Sequence, residues 1–242
     1  MIERCNDRRK LSVIAGFMAA LFMFGPAYSS EPGQLFTLFQ AEQFEYRASD
    51  GHDSLNWDVQ GWIGRDDHKA LLKTEGEKAV DGRLEKGEFQ LLYSHRVSDF
   101  FDAQAGVRYD IEPGPERSFG VLAMQGLAPY WFEIDVSAFI SNEGEVSARF
   151  ETDYDLLITQ KLILQPTAEI NLAAQSVRER GIGSGVNDVE LGFRLRYEFE
   201  RKFAPYVGIS WERKIGETAD LARHHDEDVE SLSLVTGIRF WF

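Results

Sequence analysis

Side chains along the second half of this chain alternate between apolar and polar positions, and no other feature limits the fold as much. In the segments 132–140, 147–156, 162–172 and 189–199, none of the 22 positions of one parity is charged, whereas 11 of the 19 positions of the other parity are. Successive side chains of a β-strand point to opposite faces. The pattern therefore predicts an all-β fold whose sheet has one apolar face and one charged face.

Segment length and the placement of aromatic residues separate a membrane barrel from a soluble β-sandwich, which shows the same alternation. The four segments have 9–11 residues each, the length of a tilted strand that crosses a bilayer. Aromatic residues crowd the ends of the apolar faces, as in the girdles at membrane interfaces, and the chain ends on Phe242. We predict a transmembrane antiparallel β-barrel, with a secreted β-sandwich as the alternative.

About twelve strands can be counted, with ten or fourteen as alternatives. Counted back from Phe242, the two longest connectors, 173–187 and 215–230, fall on one side of the membrane, and short ones such as 200–202 fall on the other. Outer-membrane barrels have long external loops and short periplasmic turns. This count predicts both termini in the periplasm. The expected strands are 38–48, 54–63, 69–77, 85–95, 102–110, 118–127, 131–140, 146–156, 162–172, 188–199, 204–214 and 231–242.

The first 29 residues have the layout of a secretory signal. A basic stretch ending at Lys10 precedes an apolar run over 11–24, and Ala27 and Ser29 occupy the −3 and −1 positions of a cleavage site. The apolar run is too short for a membrane-spanning helix, which needs about 20 residues. The predicted organisation is a cleavable signal peptide at 1–29, a short periplasmic segment at 30–37 and an outer-membrane β-barrel at 38–242.

Composition excludes several classes of function. The only cysteine, Cys5, lies in the predicted signal peptide, so the mature chain has no thiol for disulfides or thiolate chemistry. The formal charge of −14 argues against nucleic acid, whose binding proteins carry basic patches, and suits a surface that gathers cations. Acids outnumber bases by roughly two to one on the inward face. We expect salt-bridged side chains to fill much of the lumen, with an open cation-favouring pore as the alternative.

The histidines lie in or beside connectors, and their sharpest cluster is H-H-D-E-D-V-E at 224–230. Imidazoles beside carboxylates can hold Cu(II), Zn(II) or Ni(II), although a solvated acidic loop fits the same letters. His52 and His68 stand beside aspartates in weaker versions of this pattern. Cu(I) prefers sulfur, and Met124 is the only methionine after the signal, so a copper site would hold Cu(II) rather than Cu(I). The candidate metal ligands are His224, His225, Asp226, Asp228 and His52.

No set of residues predicts catalysis. His95 is the only histidine that we assign to the lipid-facing parity, and no serine-centred motif accompanies it. The motif G-x-S-x-G is absent. The glycine-rich stretch 181–185 has no following helix to bind a phosphate, and we interpret it as a flexible loop. The chain is predicted not to be an enzyme.

Nine stretches that run in order resemble the copper-resistance protein B family of the outer membrane, over roughly residues 42–242. The stretches are D-V-Q-G-W-I-G (58–64), L-L-K-T-E-G-E (71–77), D-A-Q-A-G-V-R-Y-D (102–110), G-L-A-P-Y-W-F-E-I-D (126–135), Y-D-L-L-I-T-Q-K-L-I-L-Q-P (154–166), G-I-G-S-G-V-N-D-V-E-L-G (181–192), F-A-P-Y-V-G-I-S-W-E-R-K (203–214), T-A-D-L-A-R (218–223) and G-I-R-F-W-F (237–242).

The resemblance implies an outer-membrane barrel that binds copper or helps to export it. It also implies outer-membrane lipids, copper ions and other periplasmic copper-resistance proteins as partners. Many members of the family carry a long segment rich in methionine and histidine between signal and barrel. Here about ten residues separate Ser29 from the first strand, and none of them is Met or His. A narrow cation-selective channel, or an efflux-partner barrel without a specific copper site, is the alternative function.

Overall fold

The structure, a computed structural model, describes residues 35–49, 52–112 and 114–242. The predicted signal peptide at 1–29 and most of the segment at 30–37 lie outside these residues. These residues include one α-helix, α1 (Gly216–His224), and two short 3-10 helices. None of these helices is long and apolar enough to cross a bilayer. The strands are β1 (Phe36–Ser49), β2 (Ser54–Gly64), β3 (His68–Ala79), β4 (Leu84–Arg96), β5 (Phe101–Glu112), β6 (Arg117–Ala128), β7 (Phe132–Ser141), β8 (Val146–Tyr154), β9 (Leu156–Leu157), β10 (Leu162–Ala173), β11 (Gly185–Tyr197), β12 (Phe203–Lys214) and β13 (Glu230–Trp241).

All strands belong to one antiparallel sheet that closes on itself. Consecutive strands pair along the chain, and β1 pairs with β13 to complete the circle. Both β8 and β9 pair with β10 in one continuous register, so they lie end to end at a single strand position. The barrel has twelve strand positions, which confirms the predicted fold class and strand count.

Pro166 lies inside β10, and the irregularity beside it falls in the neighbouring strand. The residue itself keeps a regular register with Phe193 of β11. The β8–β10 register places Tyr154 opposite Pro166, and this is where β8 ends and the pairing lapses before β9. Proline has no N–H to donate to the ladder, so the interruption falls on the strand beside it.

The two ends of the barrel differ. At the end that we name the terminal rim, Phe39 and Phe242 exchange backbone hydrogen bonds of 3.1 and 2.8 Å. The opposite end, the loop rim, carries the longest connectors, 174–184 and 215–229. Their location at the same end agrees with the count from the C-terminus.

The two faces of the sheet divide apolar from charged side chains, as the alternation predicted. Large exposed apolar residues such as Leu122, Phe193 and Leu234 form an outward band, which in a membrane barrel faces lipid. Buried polar residues such as Glu88 and Arg194 belong to the opposite parity and point into the lumen. The charged face therefore lines the interior, where side chains can pair with one another.

Candidate functional site

A cavity of about 1640 Å³ occupies the lumen below the loop rim, and we name it the acidic chamber. Its walls include twenty Asp and Glu residues against nine Lys and Arg residues, a formal excess of eleven negative charges. The low dielectric of the barrel wall concentrates this field within the chamber. Cations are therefore drawn into the lumen, and anions are repelled from it.

Four of the five predicted metal ligands line the acidic chamber. His52 approaches it from the β1–β2 connector, whereas His225, Asp226 and Asp228 approach it from the β12–β13 connector. His224, the last residue of α1, is not among the lining residues. Within residues 35–49, 52–112 and 114–242, no group of three or more His, Cys, Asp or Glu side chains is arranged to hold a metal ion. The predicted ligands share a wall without forming a preassembled coordination sphere.

A belt of buried ion pairs crosses the lumen within the chamber wall. Arg149 of β8 reaches β3 and β4, where its guanidinium lies 2.9 Å from both Glu75 and Glu88. Arg108 of β5 lies 2.9 Å from the same Glu88 and 2.6 Å from Asp110. The salt-bridged filling expected from the sequence is present in this belt, and it leaves a cavity of about 1640 Å³ beside it.

A second group of ion pairs joins β1 to β11 and β12. Arg194 lies 2.9 Å from the buried carboxylate of Glu45, to which Tyr206 also donates a hydrogen bond of 2.9 Å. Arg47 lies 2.8 Å from both Glu45 and Glu190. Buried charges are stable only when they are paired and hydrogen-bonded. These contacts therefore fix the seam at which the first and last strands close the barrel.

An apolar layer borders both the acidic chamber and a smaller cavity of about 670 Å³ at the terminal rim. Phe119 and Phe139 meet edge to face and line the chamber, whereas Leu71 of the same apolar cluster lines the smaller cavity. The guanidinium of Arg108 lies 4.5 Å from the ring centroid of Phe139, within the range of a cation–π contact. We name this layer the arginine–aromatic floor. Sequence reasoning missed it, although apolar residues of inward parity were its visible signal.

The two long connectors fold together over the loop rim. Arg180 of connector 174–184 points inward and lies 2.9 Å from Asp110. The Gly183 N–H donates a 2.9 Å hydrogen bond to the Thr218 hydroxyl of α1. A Cβ atom at Gly183 would lie 2.6 Å from the Cβ of Glu217, so only glycine allows this approach. The glycine-rich stretch, expected to be a flexible loop, therefore packs against a helix.

The contact between the two connectors is expected to weaken at acidic pH. Hydrogen bonds from the Ser176 hydroxyl and the Ser184 backbone N–H hold the pKa of Glu217 below its ordinary value. This carboxylate stabilises the contact above its ordinary pKa and loses that effect as the pH falls through the lowered pKa. Amide hydrogen exchange measures this effect. The protection factors of residues 176–184 should be lower at pH 3.5 than at pH 7. Glu217→Gln should remove most of this difference, and equal pH dependence in both proteins would contradict it.

Comparison with known proteins places the chain in a family. The family model described as Copper resistance protein B precursor (CopB) matches residues 35–242. The chain is 42% identical to the Copper resistance protein B homolog of Pseudomonas syringae pv. tomato, over 93% of this chain and 76% of that one. It is also 42% identical to Copper resistance protein B of Escherichia coli, over 83% of this chain and 68% of the relative.

Solved structures with a similar fold are outer-membrane porins. The NanC porin superposes with a TM-score of 0.53 at 11% identity, covering 85% of this chain and 99% of the porin. The KdgM porin gives a TM-score of 0.51 at 10% identity, with 86% and 99% covered. These values establish the architecture alone, because a shared fold does not carry a shared function. The family match and the twelve-stranded barrel together show that this chain is an outer-membrane protein that belongs to the copper resistance protein B family.

Proposed function

We propose that this protein serves copper resistance by collecting copper ions, as Cu(II), in the acidic chamber, without catalysing a reaction. The observation that carries the proposal is the formal excess of eleven negative charges on the chamber wall. Such a wall raises the local concentration of divalent cations more steeply than that of monovalent ones, because the attraction scales with the charge of the ion. The histidines on the same wall then add nitrogen ligands.

The arrangement of the carboxylates supports cation binding. The charges acting most strongly on Asp58 come from Glu75 and Glu42, which are also acidic. Glu212 is likewise surrounded by acidic neighbours, Glu190 foremost. A divalent ion placed between such groups relieves their mutual repulsion. Binding in the chamber is therefore favoured by the charge arrangement of the barrel itself.

The ligand chemistry favours Cu(II) over Cu(I). His52 and His225 offer imidazole nitrogen and the surrounding residues offer carboxylate oxygen, donors that suit a divalent copper ion. The described residues that line the chamber include no Met or Cys. Met124, the sulfur residue of the described barrel, lies on the outward face and is 48% exposed there. The soft ligands that Cu(I) prefers are thus separated from the chamber by the barrel wall.

The predicted topology gives the chamber a direction. With both termini in the periplasm, the loop rim and the chamber face the outside and the terminal rim faces the periplasm. The arginine–aromatic floor lies between them, which favours binding over the alternative of a cation-selective channel. On this proposal the barrel holds copper at the cell surface or passes it to other periplasmic copper-resistance proteins.

Titration of the refolded barrel with Cu(II) tests the proposal. The variant His52→Ala/His225→Ala is expected to lose one saturable binding site, because it removes both imidazoles from the chamber wall. His224→Ala is the matched control, since it removes a neighbouring imidazole that does not line the chamber. Loss in the control as well would move the site to the connector 224–230, and equal binding in all three proteins would exclude a histidine-based chamber site. Deletion of the protein should lower the copper tolerance of cells.

A further inference from the structure

Two histidines form a pair on the outer face of the terminal rim, at the opposite end of the barrel from the acidic chamber. His68, the first residue of β3, lies directly opposite His95 of β4. Their rings stack with centroids 4.8 Å apart and an interplanar angle of 15°, and both residues are exposed. The sequence placed His68 in a connector and only His95 on the outer face, whereas the β3–β4 register brings them together.

Backbone hydrogen bonding holds the two side chains close. The Arg96 N–H donates a 3.1 Å hydrogen bond to the Asp67 carbonyl, so positions 67 and 96 form a hydrogen-bonded pair of the antiparallel ladder. The next pair along, His68 and His95, is therefore a non-hydrogen-bonded pair, the kind in which opposite side chains approach most closely. The stacking of the two rings thus follows from the strand register.

The Nδ1 atom of each imidazole ring already has a hydrogen-bond partner. His95 Nδ1 lies 3.0 Å from the Asp67 carbonyl oxygen, which can only accept a hydrogen bond, so the neutral ring carries its proton on Nδ1 and a lone pair on Nε2. His68 Nδ1 lies 2.5 Å from the Tyr93 hydroxyl. Metal-binding histidines are oriented in this way, because a partner at one nitrogen fixes the ring and leaves the other for the ion.

We propose that His68 and His95 form a two-imidazole site for a divalent ion of the Cu(II), Ni(II) or Zn(II) class on the terminal rim. The Nε2 atoms are the ligands, and a small tilt of the stacked rings brings both toward one ion. Water completes the coordination, because the carboxylate of Asp67, the residue before His68, is held by the Arg96 guanidinium at 2.5 Å. Imidazole ligands suit these ions.

This second site does not rest on the acidic chamber. Neither His68 nor His95 is among the residues that line the chamber, because both lie on the outer face of the barrel. With the topology proposed above, the pair faces the periplasm. A protein of copper resistance would then offer copper ligands on both sides of the outer membrane, at positions from which a periplasmic partner could take the ion.

Titration of the full refolded barrel with Cu(II) alone tests the site, with the number of bound ions and the nitrogen hyperfine pattern in electron paramagnetic resonance as readouts. His68→Ala and His95→Ala should each lose one bound Cu(II) and its two-nitrogen signature. Tyr93→Phe should keep the site but bind about tenfold more weakly, since loss of an orienting partner costs on the order of 10–100-fold in affinity. His224→Ala serves as the control and should keep the site.

The outcomes separate this site from the chamber. His52→Ala/His225→Ala should retain the two-nitrogen signal of the histidine pair even if it loses copper from the chamber. Unchanged stoichiometry and spectrum in both His68→Ala and His95→Ala would overturn the inference and leave the chamber untouched. As an independent measurement on the unaltered protein, Cu(II) should protect His68 and His95 from diethyl pyrocarbonate modification, and equal modification with and without copper would contradict the site.

Discussion

Replacing Arg149 with methionine is expected to lower the free energy of unfolding of the barrel by about 3–5 kcal/mol, the usual cost of removing one partner from a buried ion pair. The Arg149 side chain is 6% exposed and lies 2.9 Å from both Glu75 and Glu88. Those two carboxylates are directly opposite each other on β3 and β4. Without the guanidinium they remain buried side by side. Unfolding in urea from lipid vesicles measures the difference from the unaltered protein.

Two further variants show whether the loss comes from the buried charges. Arg223→Met breaks an exposed pair with Asp220, in which the side chains are 61% and 69% exposed, and such pairs contribute little. It should leave stability nearly unchanged. Adding Glu75→Gln to Arg149→Met should recover part of the loss, because it removes one of the two carboxylates that face each other without the Arg149 guanidinium. If Arg149→Met were as mild as Arg223→Met, the belt would not be a stabilising element.

The barrel could be predicted from the sequence because the membrane imposes a simple rule on each strand. Lipid on one side of the sheet excludes charged residues from every second position of a strand. Each strand can therefore be predicted from the alternation within its own segment. The segment expected at 162–172 is a strand over Leu162–Ala173, and the one expected at 204–214 runs over Phe203–Lys214. The closing order of the strands then follows from chain order, since neighbours in an antiparallel barrel are neighbours in sequence.

The contents of the lumen could not be predicted in the same way. Parity assigns Arg149 to the interior, but its partner Glu75 is 74 residues away in the chain, and the alternation carries no information on which inward side chains meet across the barrel. The floor formed around Phe119 and Phe139 depends on the same long-range geometry. Charge counting indicated an acidic lumen correctly, while the positions of the chamber and of the apolar layer depend on contacts between distant strands.

The metal-ligand candidates show which features of the loop rim local sequence patterns could and could not predict. His225 and His52 are far apart in the chain, and the structure brings them to one cavity wall. The helix α1 (Gly216–His224) was missed because residues 215–230 were assigned to a connector and only their histidine cluster at 224–230 was interpreted. Its stretch T-A-D-L-A-R has good helix formers, with acidic Glu217 in the first turn and basic Arg223 in the last. This stretch indicates a helix, but it lies in a long, acidic connector for which no secondary structure was predicted.

Replacing both Phe119 and Phe139 with alanine is expected to convert a closed barrel into a conducting one. Their rings belong to the layer that borders the acidic chamber and the cavity at the terminal rim, and the guanidinium of Arg108 lies over both rings. Alanine removes the rings and leaves a gap in this layer. Planar bilayers should record no unitary steps for the unaltered protein and discrete steps for the double variant. The steps should favour cations, because acidic pore walls select for them.

Phe193→Ala is the matched control, since it removes the same ring from the lipid-facing side of the barrel and leaves the floor intact. It should stay closed, which separates opening of the floor from a general loosening of the barrel. The reversal potential in a salt gradient reports selectivity, and a double variant that favours anions would mean that the arginines, rather than the chamber carboxylates, control the passage. Unitary steps in the unaltered protein would show that the floor does not seal the lumen, and the cation-selective channel would then become the better account of the function.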